Sequence, residues 1–187
     1  MSTGTRDNIR SSGRDLLGIV LCGGESRRMG RDKGLLQTDG RPWVLRMGEK
    51  LAQCGLSVVY SINKRQVPAY SALLPADRLV IDDEVQEGPL KGLLSVHRLY
   101  PAPDLLVVAC DMQDLDAETI DVLIAAWQAG DADGYAYEVE GFLQPFCAIY
   151  TRFPPVGGIL SLSALLRSGS IRSLPGDAKA FHNYNTL

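Results

Sequence analysis

Residues 16–34 have the sequence LLGIVLCGGESRRMGRDKG, in which an apolar run leads directly into a loop rich in glycine and basic residues. A short, continuously apolar run is typical of a strand that is buried on both faces of a parallel sheet. In open α/β sheets the turn that leaves the first strand is a common phosphate site. Glycines would let backbone N–H groups approach a phosphate, and basic side chains would add charge-assisted bonds. The candidates for these contacts are Gly23, Gly24, Gly30, Arg27, Arg28 and Lys33.

The spacing within this loop excludes two familiar phosphate motifs. Lys33 follows Gly30 by three residues, so the loop does not match Gly-x-x-x-x-Gly-Lys-Ser/Thr, and it contains no Gly-x-Gly-x-x-Gly. The residues therefore predict a different kind of phosphate loop, and composition alone leaves open a solvated basic loop.

Strand-like and helix-like patterns alternate along the rest of the chain. Amphipathic helices are predicted around Trp43–Leu51, Leu90–His97 and Ile120–Trp127, with a short one around Ile159–Arg167. This alternation predicts an α/β fold, with a mainly parallel sheet and helices on both sides. Two consecutive strands joined near Glu140-Gly141 predict an antiparallel addition. The expected strands are Leu16–Leu21, Ser57–Ile62, Arg78–Ile81, Leu105–Ala109, Gly134–Val139, Phe142–Tyr150 and an extended piece at Ala180–Tyr184.

Composition bounds the class of protein. The chain has 187 residues, of which 45% are hydrophobic and 22% charged, so residues 14–187 are expected to form one domain after a disordered polar tail at residues 1–13. A net charge of -3 argues against a general nucleic-acid binder. No apolar run approaches the roughly 18 residues of a membrane span, and the tail has no signal-peptide core. The four cysteines form no Cys-x-x-Cys pair and are expected to be reduced core residues of a cytoplasmic protein.

A second candidate for site chemistry is Asp111. It follows the run Leu105–Ala109, so its carboxylate should lie at the carboxyl end of a buried strand, on the edge where the glycine-rich loop is expected. A hard cation such as Mg²⁺ prefers carboxylate oxygen and often shares its shell with substrate phosphates. The alternative is a helix cap, for which Asp114 and Asp116 are better placed.

Five ordered motifs resemble the molybdenum cofactor guanylyltransferases, a family with the three-layer, Rossmann-like fold of the nucleotide-diphospho-sugar transferases. The first is the loop LCGGxSxRMGxDK at residues 21–33. The others are Asp82-Asp83 with Gly88-Pro89-Leu90-x-Gly92, then Cys110-Asp111-Met112, then Gln144-Pro145 with Ala148-Ile149-Tyr150, and finally Phe181-x-Asn183-x-Asn185-Thr186.

The resemblance implies that the terminal phosphate of molybdopterin, with or without bound molybdenum, attacks the α-phosphorus of GTP and releases pyrophosphate. It also implies Mg²⁺ on Asp111, charge neutralisation by Arg28 and Lys33, and pterin recognition by Asn183 and Asn185, with a position near the metal as the alternative for Asn185. The nucleotide-binding residues that it implies are Leu21, Cys22, Gly23, Gly24, Lys33, Asn63, Asp83 and Asp111, with Asp83 on the guanine side and Asn63 as a weaker match for a neighbouring position. Transient contact with cofactor-delivery or acceptor proteins would follow from the same role.

Two departures from the family pattern bear on this hypothesis. Gln113 stands where the family usually has proline, so the loop after Asp111 is expected to lose some stiffness. The family also continues past the position of Leu187 into a final helix. The alternatives are a cytidylyltransferase of the same pterin, a sugar-phosphate nucleotidyltransferase, and a nucleotide-binding partner with weak catalysis.

Overall fold

The computed structural model describes residues 14–23, 32–83, 88–154, 159, 161–182 and 184. Within them, seven strands form one sheet in the order β5-β4-β1-β6-β8-β7-β9, and β2 (Gln37–Thr38) pairs separately with β3 (Arg41–Pro42). The sheet strands are β1 (Leu16–Leu21), β4 (Ser57–Ile62), β5 (Leu79–Ile81), β6 (Asp104–Ala109), β7 (Gly134–Val139), β8 (Phe142–Tyr150) and β9 (Ile171–Pro175). All neighbouring pairs are parallel except those made by β8, which is antiparallel to both β6 and β7. The predicted α/β class and its antiparallel addition are confirmed.

Helices cover both faces of this sheet, because alternate strand residues point to opposite sides. Val20 and Val108 belong to one buried cluster, whereas Ile19 and Val107 belong to the other. The first cluster includes residues of α1 (Trp43–Gln53), α2 (Val67–Ser71) and α4 (Ala117–Gln128), and the second includes residues of α3 (Pro89–Leu99) and α5 (Leu162–Leu166). The fold therefore has the three layers that the sequence predicts.

Local sequence explains several element ends. The Asp116 carboxylate accepts a hydrogen bond of 2.7 Å from the Thr119 amide and caps α4, as expected from its position. Glu140 and Gly141 both have positive φ, at 51° and 82°, which is the backbone that a tight two-residue hairpin between β7 and β8 requires.

The expected extended segment at Ala180–Tyr184 is wrong. The last strand is β9, which lies earlier in the chain and pairs with β7, while residues 178–181 form a turn. Phe181 packs on Tyr137, with ring centroids 5.0 Å apart, so its apolar character comes from core packing rather than from a strand. β9 is mostly exposed and lacks the apolar pattern that would have predicted it. The predicted tail at residues 1–13 lies outside the described residues.

All four cysteines are free, as predicted, and three of them are buried. Burial raises the pKa of the Cys147 thiol to about 12 and, for Cys22, raises the pKa above its ordinary value, with the neighbouring Cys110 thiol adding to the effect. Thiols that stay protonated and inaccessible react slowly.

We therefore expect Cys22 and Cys147 to resist iodoacetamide at pH 8 in the folded protein, and to be alkylated when the chain is unfolded in guanidinium chloride. Peptide mass spectrometry after quenching measures the modified fraction at each site. Rapid alkylation of Cys22 in the folded protein would contradict its buried position.

Candidate active site at the carboxyl ends of β1 and β6

The candidate site lies where the strand order reverses. β1 has β4 on one side and β6 on the other, and parallel β1 and β6 are in register, with Leu21 opposite Ala109. The Cys110 amide continues the ladder by donating to the Leu21 carbonyl at 3.1 Å. Gly23 and Asp111 therefore follow two adjacent strands at one edge of the sheet. Such reversal points are the usual ligand sites of open α/β sheets.

Lys33 and Asp111 meet at this edge. The Lys33 Nζ atom lies 2.7 Å from Asp111 Oδ2, and the two side chains are 20% and 12% exposed. The two residues come from segments separated by 78 positions in the chain. The basic end of the glycine-rich loop and the acid after β6 are thus on the same rim, as the sequence predicts.

Asp32, the residue before Lys33, holds the chain in place at this point through its hydrogen bonds. Its Oδ1 accepts from the Gly34 amide at 3.0 Å and from the Tyr70 hydroxyl at 2.9 Å. Its Oδ2 accepts from Gln66 Nε2 at 2.7 Å, and the same Gln66 amide donates to the Cys22 carbonyl at 3.0 Å. Gln66 therefore ties together the two ends of the loop. The sequence analysis missed Gln66 and Tyr70, because neither belongs to a motif or lies near the loop in the chain.

A buried carboxylate supports the turn after β1. Asp82 is only 4% exposed, and its Oδ1 accepts from the Ser61 hydroxyl at 2.6 Å. A Cβ on Gly23 would lie 2.3 Å from Asp82 Oδ2, so this position accepts only glycine without rearrangement. Burial raises the pKa of the Asp82 carboxyl to about 6, against the opposing effects of the Ser61 hydrogen bond and the Lys91 charge.

The two residues that the resemblance implies for the base have other partners in the structure. The Asp83 carboxylate pairs with Arg98, and its amide donates to Ser95 Oγ at 2.9 Å. Asn63 Oδ1 accepts from the amides of Arg65 and Gln66 and so caps a short 3-10 turn. Asp82, rather than Asp83, is the acid in contact with Gly23. The pair of Asp83 and Arg98 borders a cavity of about 310 Å³, which is lined by Lys64, Ile81, Asp82, Asp83, Ser95, Arg98 and Leu99.

Six of the predicted site residues lie outside the described residues: Gly24, Arg27, Arg28, Gly30, Asn183 and Asn185. Tyr184, between the two asparagines, is described and lies beside the acid. Its amide donates to the Asp111 carbonyl at 3.4 Å, and its hydroxyl donates to Asp114 Oδ2 at 2.9 Å. Tyr184 therefore lies next to Asp111.

Comparison with known proteins shows the family of this chain. The model of the MobA-like NTP transferase domain matches residues 18–175. The chain belongs to this family. A molybdenum cofactor guanylyltransferase of Pseudomonas putida is 36% identical over 141 residues, which cover 74% of this chain and 72% of that protein.

A molybdenum cofactor biosynthesis bifunctional protein of Synechocystis is 33% identical over 139 residues, and the match spans 73% of this chain but 39% of that protein. Among solved structures, molybdopterin-guanine dinucleotide biosynthesis protein A of Archaeoglobus fulgidus has a TM-score of 0.72 at 20% identity, with 91% of this chain and 92% of that one covered. A Bacillus anthracis structure named for glucose-1-phosphate thymidylyltransferase has a TM-score of 0.69 at 13% identity, with 87% of each chain covered. These structures show the nucleotide-diphospho-sugar transferase fold.

The carboxylate of Asp111 is the candidate metal ligand at this rim. Across the described ranges, no group of three or more His, Cys, Asp and Glu side chains is arranged to bind a metal ion by itself. A single carboxylate at an open rim fits Mg²⁺ when substrate phosphates and water supply the other oxygens.

In the same ranges, no helix is long and apolar enough to cross a bilayer.

The raised pKa of Asp82 predicts a pH-dependent stability. Because its pKa is about 6 in the folded protein and about 4 in an unfolded chain, the native state binds more protons between these values. The Asp82 contribution therefore lowers the free energy of unfolding as pH rises through this window, by up to about 3 kcal/mol. We therefore expect the free energy of unfolding of Asp82→Asn, measured relative to that of the wild type, to increase by up to this amount as the pH is raised from about 4 to about 7.5.

Urea unfolding curves of both proteins at each pH measure the difference. Exposed Asp77 provides the control, and Asp77→Asn should follow the wild type across the range. If the free energy of unfolding of Asp82→Asn depends on pH in the same way as that of Asp77→Asn, the raised pKa of the buried Asp82 carboxyl is contradicted.

Proposed function

We propose that this chain transfers the GMP unit of GTP to the terminal phosphate of molybdopterin, giving a guanine dinucleotide cofactor and pyrophosphate. The observation that carries the proposal is the contact of 2.7 Å between Lys33 Nζ and Asp111 Oδ2 at the reversal point of the sheet. The name of the Pseudomonas putida relative, a molybdenum cofactor guanylyltransferase, supports GTP and molybdopterin as the substrates. The cytoplasm, where GTP is available, is the expected location.

In the proposed reaction, an oxygen of the molybdopterin phosphate forms a bond to the α-phosphorus of GTP. The bond between that phosphorus and the oxygen leading to the β-phosphate breaks, and pyrophosphate leaves with the electron pair. The attacking phosphate is already anionic, so no side chain has to remove a proton from it. The task of the protein is to position two anions and to neutralise charge at the reacting phosphate.

The residues at the rim suit this task. Lys33, together with Arg28 from the same loop, would neutralise the triphosphate, while the backbone of Leu21, Cys22, Gly23 and Gly24 would lie against the nucleotide. Asp111 would hold Mg²⁺, which supplies Lewis-acid stabilisation of the phosphoryl oxygens. In this structure Lys33 neutralises Asp111. With substrate and metal bound, Lys33 would instead face the negative phosphates, and Asp111 would face the positive metal ion.

Guanine offers hydrogen-bond donors at N1 and N2, so a carboxylate is a suitable acceptor for it. The motif match makes Asp83 the candidate, and the contact with Gly23 makes the neighbouring Asp82 a second one. Asn63 is retained as a candidate for a neighbouring contact. Asn183 and Asn185, which lie outside the described residues, are the candidates for the pterin, and Tyr184 between them in the sequence donates its amide hydrogen to the Asp111 carbonyl.

Substitution of Asp111 tests the central acid. Asp111→Asn keeps the shape of the side chain but removes the charge that would hold Mg²⁺, and we expect turnover to fall by about 100-fold or more. Pyrophosphate release from GTP with Mg²⁺ and molybdopterin measures it. Asp116→Asn is the matched control, because asparagine caps a helix as well as aspartate does and turnover should persist.

Near-normal turnover of Asp111→Asn would contradict the metal role of Asp111. Absence of turnover in the wild type itself at high protein concentration would favour a nucleotide-binding partner. Pyrophosphate release that needs a sugar phosphate in place of molybdopterin would indicate a sugar-phosphate nucleotidyltransferase.

Base selectivity separates the guanylyltransferase from a cytidylyltransferase. A carboxylate that accepts two hydrogen bonds from guanine loses them with cytosine, so GTP should bind at least about tenfold more tightly than CTP in the presence of Mg²⁺. Isothermal titration calorimetry with the two nucleotides measures the ratio. Tighter binding of CTP would overturn the guanine assignment.

A further inference from the structure

Gln113 makes three hydrogen bonds in the segment that carries Asp111. Its Nε2 donates to the Cys110 carbonyl at 2.7 Å, its Oε1 accepts from Arg46 Nε at 3.1 Å, and its backbone carbonyl accepts from Lys50 Nζ at 2.6 Å. From the sequence, only a loss of stiffness is expected at this position. We propose that Gln113 is a positioning residue that holds the Asp111 carboxylate in the geometry in which it meets Lys33 and a divalent cation. The cation part of this inference rests on the proposed function.

The bond to Cys110 closes the backbone around Asp111. It joins the side chain of residue 113 to the carbonyl of residue 110, so Asp111 and Met112 lie inside the ring that the bond forms. The Met112 amide donates to the Ala109 carbonyl at 3.3 Å, and the Met112 side chain is only 1% exposed. With Cys110 paired to β1 and Met112 anchored in the core, little freedom remains for the Asp111 backbone.

Two cations of α1 fix the orientation of Gln113. Arg46 and Lys50 lie four positions apart, on the same face of the helix, and α1 is anchored in the core by Val44, Met47 and Leu51. An arginine can only donate, so its bond selects Oε1 as the acceptor and leaves Nε2 to donate to the Cys110 carbonyl. Burial and the nearby Arg46 charge lower the pKa of Lys50. Because α1 is anchored in the core, it is a rigid support for the segment that carries Asp111.

The position of this one carboxylate matters because Asp111 is the single acid proposed for the cation. Its side chain is 12% exposed, and Oδ2 is already within 2.7 Å of Lys33 Nζ. A displacement of about 1 Å at a reacting site can reduce the rate by about 100-fold. Residues that orient a metal ligand without touching the metal typically change affinity by about 10- to 100-fold when they are replaced.

Gln113→Met tests the inference, because methionine has a similar length but cannot bond to Cys110 or Arg46. We expect Mn²⁺, used as a probe of the Mg²⁺ site, to bind about tenfold more weakly in the presence of GTP, as measured by electron paramagnetic resonance of the free ion. The Mg²⁺ concentration for half-maximal turnover should rise by a similar factor, while KM for GTP at saturating Mg²⁺ should stay within about twofold. Gln53→Met, at an exposed position of α1, is the matched control and should behave as the wild type.

A second readout does not depend on ligand or turnover. Hydrogen exchange of the Asp111 and Met112 amides in the ligand-free protein should be faster in Gln113→Met than in Gln53→Met. If the wild type binds no Mn²⁺ with GTP, the proposed function fails, and the exchange rates still decide whether Gln113 orders this segment. Unchanged exchange together with unchanged Mn²⁺ affinity in Gln113→Met would overturn the inference.

Arg46→Met provides a second variant if Gln113→Met folds poorly, because the Arg46 side chain is 27% exposed and its loss leaves the amide unoriented. It should weaken Mn²⁺ binding in the same direction, and combining it with Gln113→Met should add little, since both remove one connected set of bonds. Arg46 also lies 3.6 Å from Asp39, so Asp39→Asn is its control and should leave Mn²⁺ affinity unchanged. Asparagine also suits the positive φ of residue 39, which is 52°. Fully additive effects of the two methionine variants would contradict a shared role.

Discussion

The parallel pairing of β1 and β6 is the constraint on which the candidate site depends. Because Leu21 lies opposite Ala109, the glycine-rich loop and the segment with Asp111 leave the sheet at the same level and on the same rim. Neither segment could form the site alone, since one carries the cations and the other the acid. The contact between Lys33 and Asp111 is the direct consequence of that register.

Buried and half-buried polar residues then hold each segment in place. Gln66 and Asp32 fix the ends of the loop, Asp82 and Ser61 support Gly23, and Gln113 connects the Asp111 segment to α1. All of these are hydrogen-bonded side chains at the edge of the core, where an unsatisfied partner would be costly. The described residues of the site are therefore connected to the packed core, which is what catalysis by positioning requires.

The sequence predicted most of the fold because the strands are buried on both faces and the helices are amphipathic. β1 and β4 begin and end where their apolar runs do, and α1, α3 and α4 contain the predicted residues. The exposed strand β9 and the short helix α2 were missed, since neither has a clear apolar period. At the site, Lys33 and Asp111 could be predicted from chemistry and strand position. The roles of Gln66, Asp82 and Gln113 could not, because they depend on contacts between segments that are distant in the chain.

A crystal structure of the wild-type protein with GTP and Mg²⁺ tests the account most directly. The account predicts the triphosphate at the rim beyond β1 and β6, with Lys33 on a phosphate oxygen and Asp111 on the metal ion. A triphosphate bound away from this rim, or a metal ion held without Asp111, would contradict it.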